Sequence, residues 1–275
     1  MRIYLADCSA INHWLYHATD NEAGGLDETP LAERVNRWFR GFREAMSPTN
    51  FVCCFDSKTS WRKLVSPEYK IARLAKPPDE MKIKSLAEAN AMWRSMGLAT
   101  AGADGYEADD AAATLAARFA SPDVEVVLVS SDKDWLQCVG DNVKQWDVRP
   151  NKAGEHVFYD AAKVEERHGV PPHRLAELLA ICGDQSDSVA GIKGIGKVQA
   201  TVAIRQTRSA DEIFRKAQLG QLKDITANNQ KKFIDGRADF NLALQLVTLQ
   251  YDAPIDLDIE DTTIDTERES NECAA

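Results

Sequence analysis

Three short apolar runs, each closing on an aspartate, constrain this chain more than any other feature. Arg2-Ile3-Tyr4-Leu5-Ala6 ends at Asp7, Phe51 to Phe55 ends at Asp56, and Val124 to Val129 leads through Ser130-Ser131 to Asp132 and Asp134. Nearly continuous apolar runs of this length suit strands buried on both faces. Helical patterns lie between them: about 9–18; Leu31 to Ala45, with Leu31, Val35, Trp38, Phe39 and Phe42 on one stripe; about 79–96; and an alanine-rich segment opened by Glu107-Ala108-Asp109-Asp110. The alternation predicts an α/β fold with a mainly parallel central sheet flanked by helices. Another strand is predicted over about 143–148, and 20–30 reads as loop. After His168-Gly169-Val170-Pro171-Pro172 strand signals fade and helices dominate to about 251.

In an open parallel sheet, ligands bind beyond the carboxyl ends of the strands, so acids at three such ends converge on one crevice. Taken singly, an aspartate after a strand is most often a cap or a turn residue. Jointly they are harder to dismiss, because clustered carboxylates repel one another unless a cation neutralises them. Carboxylates without His or Cys suit hard divalent ions, Mg²⁺ or Mn²⁺, and two such ions can clamp a phosphodiester during displacement. Glu107, Asp109 and Asp110 at a helix start, with Asp184 and Asp187 three residues apart, extend the acidic set. The turn Gly191-Ile192-Lys193-Gly194-Ile195-Gly196-Lys197 follows at once. Its amides, at a helix start, offer an anion seat, although Val198 rules out a Walker A loop.

Charge is unevenly distributed. The net charge is −10, but residues 252–275 carry −8, which leaves −2 on residues 1–251. That tail has no aromatic residue and reads as an acidic, flexible terminus. Residues 57–84 hold eight bases against three acids, with Trp61 and Tyr69 interleaved, and residues 191–208 hold four bases (Lys193, Lys197, Arg205, Arg208) and no acid. One such stretch alone is most simply a solvated face; two beside an acidic cluster suggest a phosphate path. Neutralising nine carboxylates would bring residues 1–251 to +7. Six cysteines without CxxC spacing exclude common zinc ribbons, and no apolar run is long enough to span a membrane. A cytoplasmic protein is expected.

These motifs, in order, resemble the 5′-nuclease (flap endonuclease) superfamily, in the form of the N-terminal domain of bacterial DNA polymerase I and its stand-alone bacterial and phage relatives. They are Leu5-Ala6-Asp7 with Tyr16-His17-Ala18, Phe55-Asp56, Tyr69-Lys70, Tyr106-Glu107-Ala108-Asp109-Asp110, Ser130-Ser131-Asp132-Lys133-Asp134, and Gly183-Asp184-Gln185-Ser186-Asp187 with the glycine-rich turn. The resemblance covers about residues 2–250. It implies a metal-dependent nuclease acting on DNA with 5′ ends, nicks or flaps. It implies that Asp7, Asp56, Glu107, Asp109, Asp110, Asp132, Asp134, Asp184 and Asp187 hold two or more divalent ions.

The insertion at about 57–84 is implied to form a helical arch. There Lys70 is the best match for a base on the scissile phosphate, Arg62 and Arg73 are weaker ones, and Tyr69 lies beside the DNA. In a PIN-like core spanning 1–170, the acids line the catalytic site. A helical subdomain at 171–251 carries a helix–three-turn–helix element gripping duplex phosphates through Lys193, Gly194, Gly196, Lys197 and Arg205, with K⁺ bound there in some members. The family's usual residues are replaced by Cys8 after the first aspartate, by Ser188-Val189-Ala190 after Asp187, and by Trp135 and Cys138 where leucines are common.

A monomer is expected, with any polymerase partner on a separate chain. Two other readings stand beside this one. A PIN-type RNase would use a similar acid cluster, but usually needs neither the arch-length insertion nor the glycine-rich turn. A non-catalytic DNA-binding relative is disfavoured by the intact carboxylate set, since unused clustered acids destabilise a fold.

Overall fold

The computed structural model describes residues 1–20, 25–26, 29–75 and 77–264. In chain order the strands are β1 (Arg2–Asp7), β2 (Thr19–Asp20), β3 (Gly25–Leu26), β4 (Asn50–Cys54), β5 (Ala99–Ala101), β6 (Glu125–Val129), β7 (Val143–Trp146) and β8 (Phe158–Tyr159). The α-helices are α1 (Cys8–His17), α2 (Leu31–Met46), α3 (Trp61–Val65), α4 (Glu80–Ser95), α5 (Ala108–Phe119), α6 (Ala161–His168), α7 (Leu175–Cys182), α8 (Lys197–Arg205), α9 (Ala210–Gln218), α10 (Ala227–Asp235) and α11 (Arg237–Val247).

The main sheet runs β5-β4-β1-β6-β7-β8, parallel except for β8. β1 is central, paired with β4 through Asp7↔Cys54 and with β6 through Ala6↔Val129. That register sets Asp7, Asp56 and the Ser130–Asp134 segment together beyond the carboxyl ends of the central strands. The three central strands are apolar along their length because both faces are covered. On one face Phe39, Phe42, Phe51 and Trp93 interlock as T-shaped and stacked rings. On the other, the alanines of α5 pack on Ile3, Leu5, Val52 and Leu128. A third core, built around Phe214, Phe233 and Phe240, joins the carboxyl-terminal helices.

The sequence reading misses β5, β8 and the β2–β3 ribbon. Each has only two or three residues, too few to show a hydrophobic period. Asp20, Gly25 and Leu26 of the ribbon fall within the predicted loop at 20–30, of which residues 21–24 and 27–28 lie outside the described residues. No helix among the described residues is long and apolar enough to cross a membrane.

Between α7 and α8 the chain turns back on itself at Gly183 and Gly191. A Cβ on Gly191 would meet the Gly183 amide nitrogen at 2.2 Å, and Gly183 has φ +77°, so neither position accepts a side chain. This close approach aligns Asp184 with Val189, whose amides and carbonyls exchange two hydrogen bonds of 2.8 Å. Asp184 and Asp187 are thereby presented on one tight loop.

The tail expectation needs correction. Residues 252–264 pack on the domain: Ala253 and Ile255 are buried beside α5, the Arg118 guanidinium holds the Ile255 and Leu257 carbonyls, and buried Asn50 donates to Thr262. Alternating apolar residues between the acids (Ala253, Ile255, Leu257, Ile259) supply this contact, a pattern hidden by the acidic composition. Residues 265–275 of the expected tail lie outside the described residues, as does Lys76 of the basic insertion.

Candidate metal centre

Four aspartates gather at the strand ends. Asp7 caps α1, its Oδ1 accepting from the Ala10 amide at 2.8 Å and its Oδ2 from Ser130 Oγ at 2.8 Å. Asp56 accepts from Ser9 Oγ (2.6 Å) and from the Ala108 amide (2.9 Å) at the start of α5. Asp109 accepts from Trp135 Nε1 at 2.7 Å, and Asp132 accepts from the Asp134 amide at 3.0 Å. Burial, with Asp56 and Asp132 alongside, pushes Asp7 up to about 7. Burial and the charges of Asp132, Asp7 and Asp56 push Asp109 well above the usual carboxylate range. Such mutual repulsion in a shared crevice is what a bound cation relieves.

A second group adjoins the first. Among the described residues, Asp134, Asp184 and Asp187 each bring a carboxylate oxygen within 4.8 Å of the others. Burial, then Asp132, pushes Asp134 up to about 7, and its buried Oδ1 has no hydrogen-bond partner. Lys133 Nζ lies 2.6 Å from Asp184 Oδ2 and 3.6 Å from Asp134 Oδ1, a cation already seated among the acids. An all-oxygen donor set with an unpartnered buried acceptor fits a hard divalent ion.

The insertion lies across this second group. The Lys70 amide donates to the Asp187 carbonyl at 2.8 Å, with Lys70 itself in the left-handed region at φ +58°, a strained conformation typical of functional sites. Lys70 Nζ sits 2.7 Å from Glu107 Oε2, and Arg73 Nη2 sits 2.7 Å from Asp187 Oδ1. Burial works against the Lys70 ammonium, but Glu107 and Asp187 outweigh it and hold its pKa above the ordinary lysine value.

Three sequence assignments are not met by this geometry. Arg62 is 2% exposed and forms a bidentate pair with Asp110 (2.7 and 2.8 Å), while its Nε donates to the Leu246 carbonyl at 2.7 Å. It is a clamp between the insertion, α5 and α11, and does not face a scissile phosphate. Asp110 is 0% exposed, and its two oxygens accept from Arg62, Trp61 Nε1 and the Gln250 and Glu107 amides. With both oxygens engaged it is not presented to a metal; the 100° step between neighbours on a helix turns it away from Asp109. Tyr69 is 3% exposed, its hydroxyl 3.0 Å from both Glu107 Oε2 and Asp187 Oδ2. It bridges carboxylates instead of offering a surface to DNA.

Lys193, Gly194, Gly196 and Lys197 are exposed on the turn into α8, whose N-cap Gly196 has no capping side chain. Exposed Arg205 donates to the Gly169 carbonyl and Lys197 to that of Arg167. Sequence reasoning overlooked Lys133, Ser9, Ser130 and the donor role of Trp135. Lys133, between two assigned acids, was the one of these with a signal in the sequence. Lys232 was also missed; its Nζ reaches the Gly194 carbonyl at 3.2 Å.

Residues 2–169 match the family model described as the 5′-3′ exonuclease N-terminal resolvase-like domain, and residues 170–270 that of the 5′-3′ exonuclease C-terminal SAM fold. The chain is 32% identical over 249 residues to the flap endonuclease Xni of Shewanella amazonensis, covering 90% of this chain and 92% of that protein. It is 31% identical over 267 residues to the DNA polymerase I of Treponema pallidum, covering 94% of this chain and 26% of the polymerase. Among solved structures, the zinc-bound T5 5′-exonuclease superposes with a TM-score of 0.72 at 20% identity, covering 90% of this chain and 89% of that one. That similarity establishes the shared fold.

Proposed function

Because the chain belongs to the 5′-3′ exonuclease family, we propose that its carboxylate crevice is the catalytic centre of a flap endonuclease/5′-3′ exonuclease cutting DNA near 5′ ends, nicks or flaps. The enzyme hydrolyses DNA and depends on divalent metal ions. The observation that carries the assignment of the centre is a continuous carboxylate set in which Asp7, Asp134, Asp184 and Asp187 are buried and Asp56 is exposed at its border. It extends from Asp56 and Asp7 through Asp132 and Asp109 to Asp134, Asp184 and Asp187, and contains one acceptor without a partner.

Two or more Mg²⁺ or Mn²⁺ ions are proposed to be held by Asp7, Asp56, Asp109, Asp132, Asp134, Asp184 and Asp187, with Glu107 at the border. When bound, they supply Lewis acidity and neutralise the charge of the phosphodiester. Ser9, Ser130 and Trp135 orient the carboxylates. Lys70 and Arg73, now paired with Glu107 and Asp187, are positioned to transfer their hydrogen bonds to a phosphate whose negative charge grows during the reaction. Lys193, Lys197 and Arg205, with the backbone at Gly194 and Gly196, are proposed to hold duplex phosphates, which fixes position without reading sequence. K⁺ at the same turn, a monomeric state and a DNA polymerase on another chain complete the proposal.

Product mapping on an end-labelled flap, with and without a chelator, tests it. Mg²⁺-dependent cuts near the flap base are expected. Cleavage of RNA alone would favour a PIN-type RNase, and binding without cleavage a non-catalytic relative.

A further inference from the structure

Beside the metal centre, α1 walls a second pocket of about 540 Å³. Ala10, His13, Trp14 and His17 line it from α1, and Ser131 and Arg149 face them. Both walls begin at carboxylates of the centre. The Ala10 amide caps Asp7, and Ser131 lies between Ser130, whose hydroxyl binds Asp7, and Asp132. We propose that this pocket receives the terminal phosphate of the 5′ strand together with its nucleotide, so that cutting close to an end depends on a 5′-phosphate. The proposal rests on the nuclease reading above.

The donors suit a phosphate. His13 and His17 stand one helical turn apart on the same face of α1. Lys82 Nζ lies 3.1 Å from His17 Nε2. Arg149 Nη2 donates to the Ser131 carbonyl at 2.9 Å, and Asp147 steadies its Nε from 3.7 Å, while about half of the side chain stays open to solvent. Burial, followed by the positive charges of Lys82, His17 and Arg73, lowers the His13 pKa, and Asp56 opposes them. The neutral imidazole can still donate a hydrogen bond, while Arg149 and the neighbouring Lys82 supply positive charge for an incoming anion. Trp14, partly buried in the same wall, offers a ring on which a base can stack.

The location suits the 5′ strand. Lys82 and Arg73 belong to the insertion that crosses the centre, so the pocket opens where that insertion meets α1. From Ala10 to His17 the helix rises about 10 Å, which places the pocket within a few nucleotides of the cut. A terminal phosphate monoester carries about −1.5 to −2 at neutral pH, more charge than an internal diester. The Arg149 guanidinium in the pocket, the imidazole donors of His13 and His17, and Lys82 beside His17 distinguish the two.

The test compares 3′-labelled nicked duplexes bearing a 5′-phosphate or a 5′-hydroxyl with a long flap whose terminus is beyond reach, all in Mg²⁺. At the nick the phosphate should raise kcat/KM on the order of 10-fold, the scale of charge-assisted hydrogen bonds. On the long flap it should make no difference. His17→Ala should shrink the preference, and His17→Ala with Arg149→Ala should abolish it while long-flap cleavage persists. His17 is exposed, so the single variant carries the test if the double variant folds poorly. Equal rates for the two nicked substrates, or a preference that survives in His17→Ala undiminished, would overturn the proposal. Failure to cut even the long flap would instead overturn the nuclease reading.

Discussion

Acidification should weaken metal binding far more steeply than unperturbed aspartates allow. Asp7 and Asp134 are each held up to about 7 by burial and neighbouring carboxylates, and an ion can bind them only after their protons leave. The sign follows directly: at pH 8 the carboxyls are largely ionised and ready to bind, and at pH 6 largely protonated. One group with a pKa near 7 weakens apparent affinity by roughly 10-fold over that interval, and two together by up to ~10²-fold. At pH 7 both are half-titrated, so metal binding should release about one proton in total. The perturbation is a pH series with Mg²⁺ or Mn²⁺. The assay is calorimetry in buffers of different ionisation enthalpy, which yields affinity and proton count together. Ordinary aspartates near 3.9 would give a flat profile over this range. Dissociation constants that agree within about twofold at pH 6 and pH 8, with no proton release, would mean that Asp7 and Asp134 are ionised across this range and not raised by their surroundings.

Asp132→Ala should lower single-turnover cleavage of a flap by ~10² or more while the melting temperature holds or rises, since one repelling charge is gone; near-normal turnover at saturating Mg²⁺ would remove Asp132 from the centre. Lys70→Ala should lower kcat by on the order of 10², with partial rescue by Lys70→Arg, and a change confined to KM would make Lys70 a binding residue. Arg62→Ala should act on stability first, costing about 3–5 kcal/mol by urea unfolding because Asp110 is left charged and buried. Truncation after Tyr251 removes buried Ala253 and Ile255 and the Thr262 contact to Asn50, so it should cost roughly 2 kcal/mol or more; an unchanged melting temperature would mean that this segment contributes nothing.

The sequence alone determined the parallel sheet, the helical second half and most of the acidic centre. These features are written locally. An apolar run of strand length declares a buried strand, and an aspartate within three residues of its end is carried to the carboxyl end of the sheet wherever that strand sits. Asp184 and Asp187 were legible for a similar reason, being three apart beside glycines that admit only a tight turn. Tertiary structure decided which charges meet. Arg62 finds Asp110 across 48 residues, Lys133 finds Asp184 across 51 and Tyr69 finds Asp187 across 118. No local period encodes those pairings, so a basic residue in the insertion looks the same whether it faces a phosphate or a buried carboxylate. Arg62 and Lys70 are eight positions apart in one basic stretch, yet packing against α11 buries the first and the loop at Asp187 positions the second. Composition likewise concealed the docking of residues 252–264. Its acids point outward, and the apolar residues between them become a core contact only because the groove beside α5 is there to receive them.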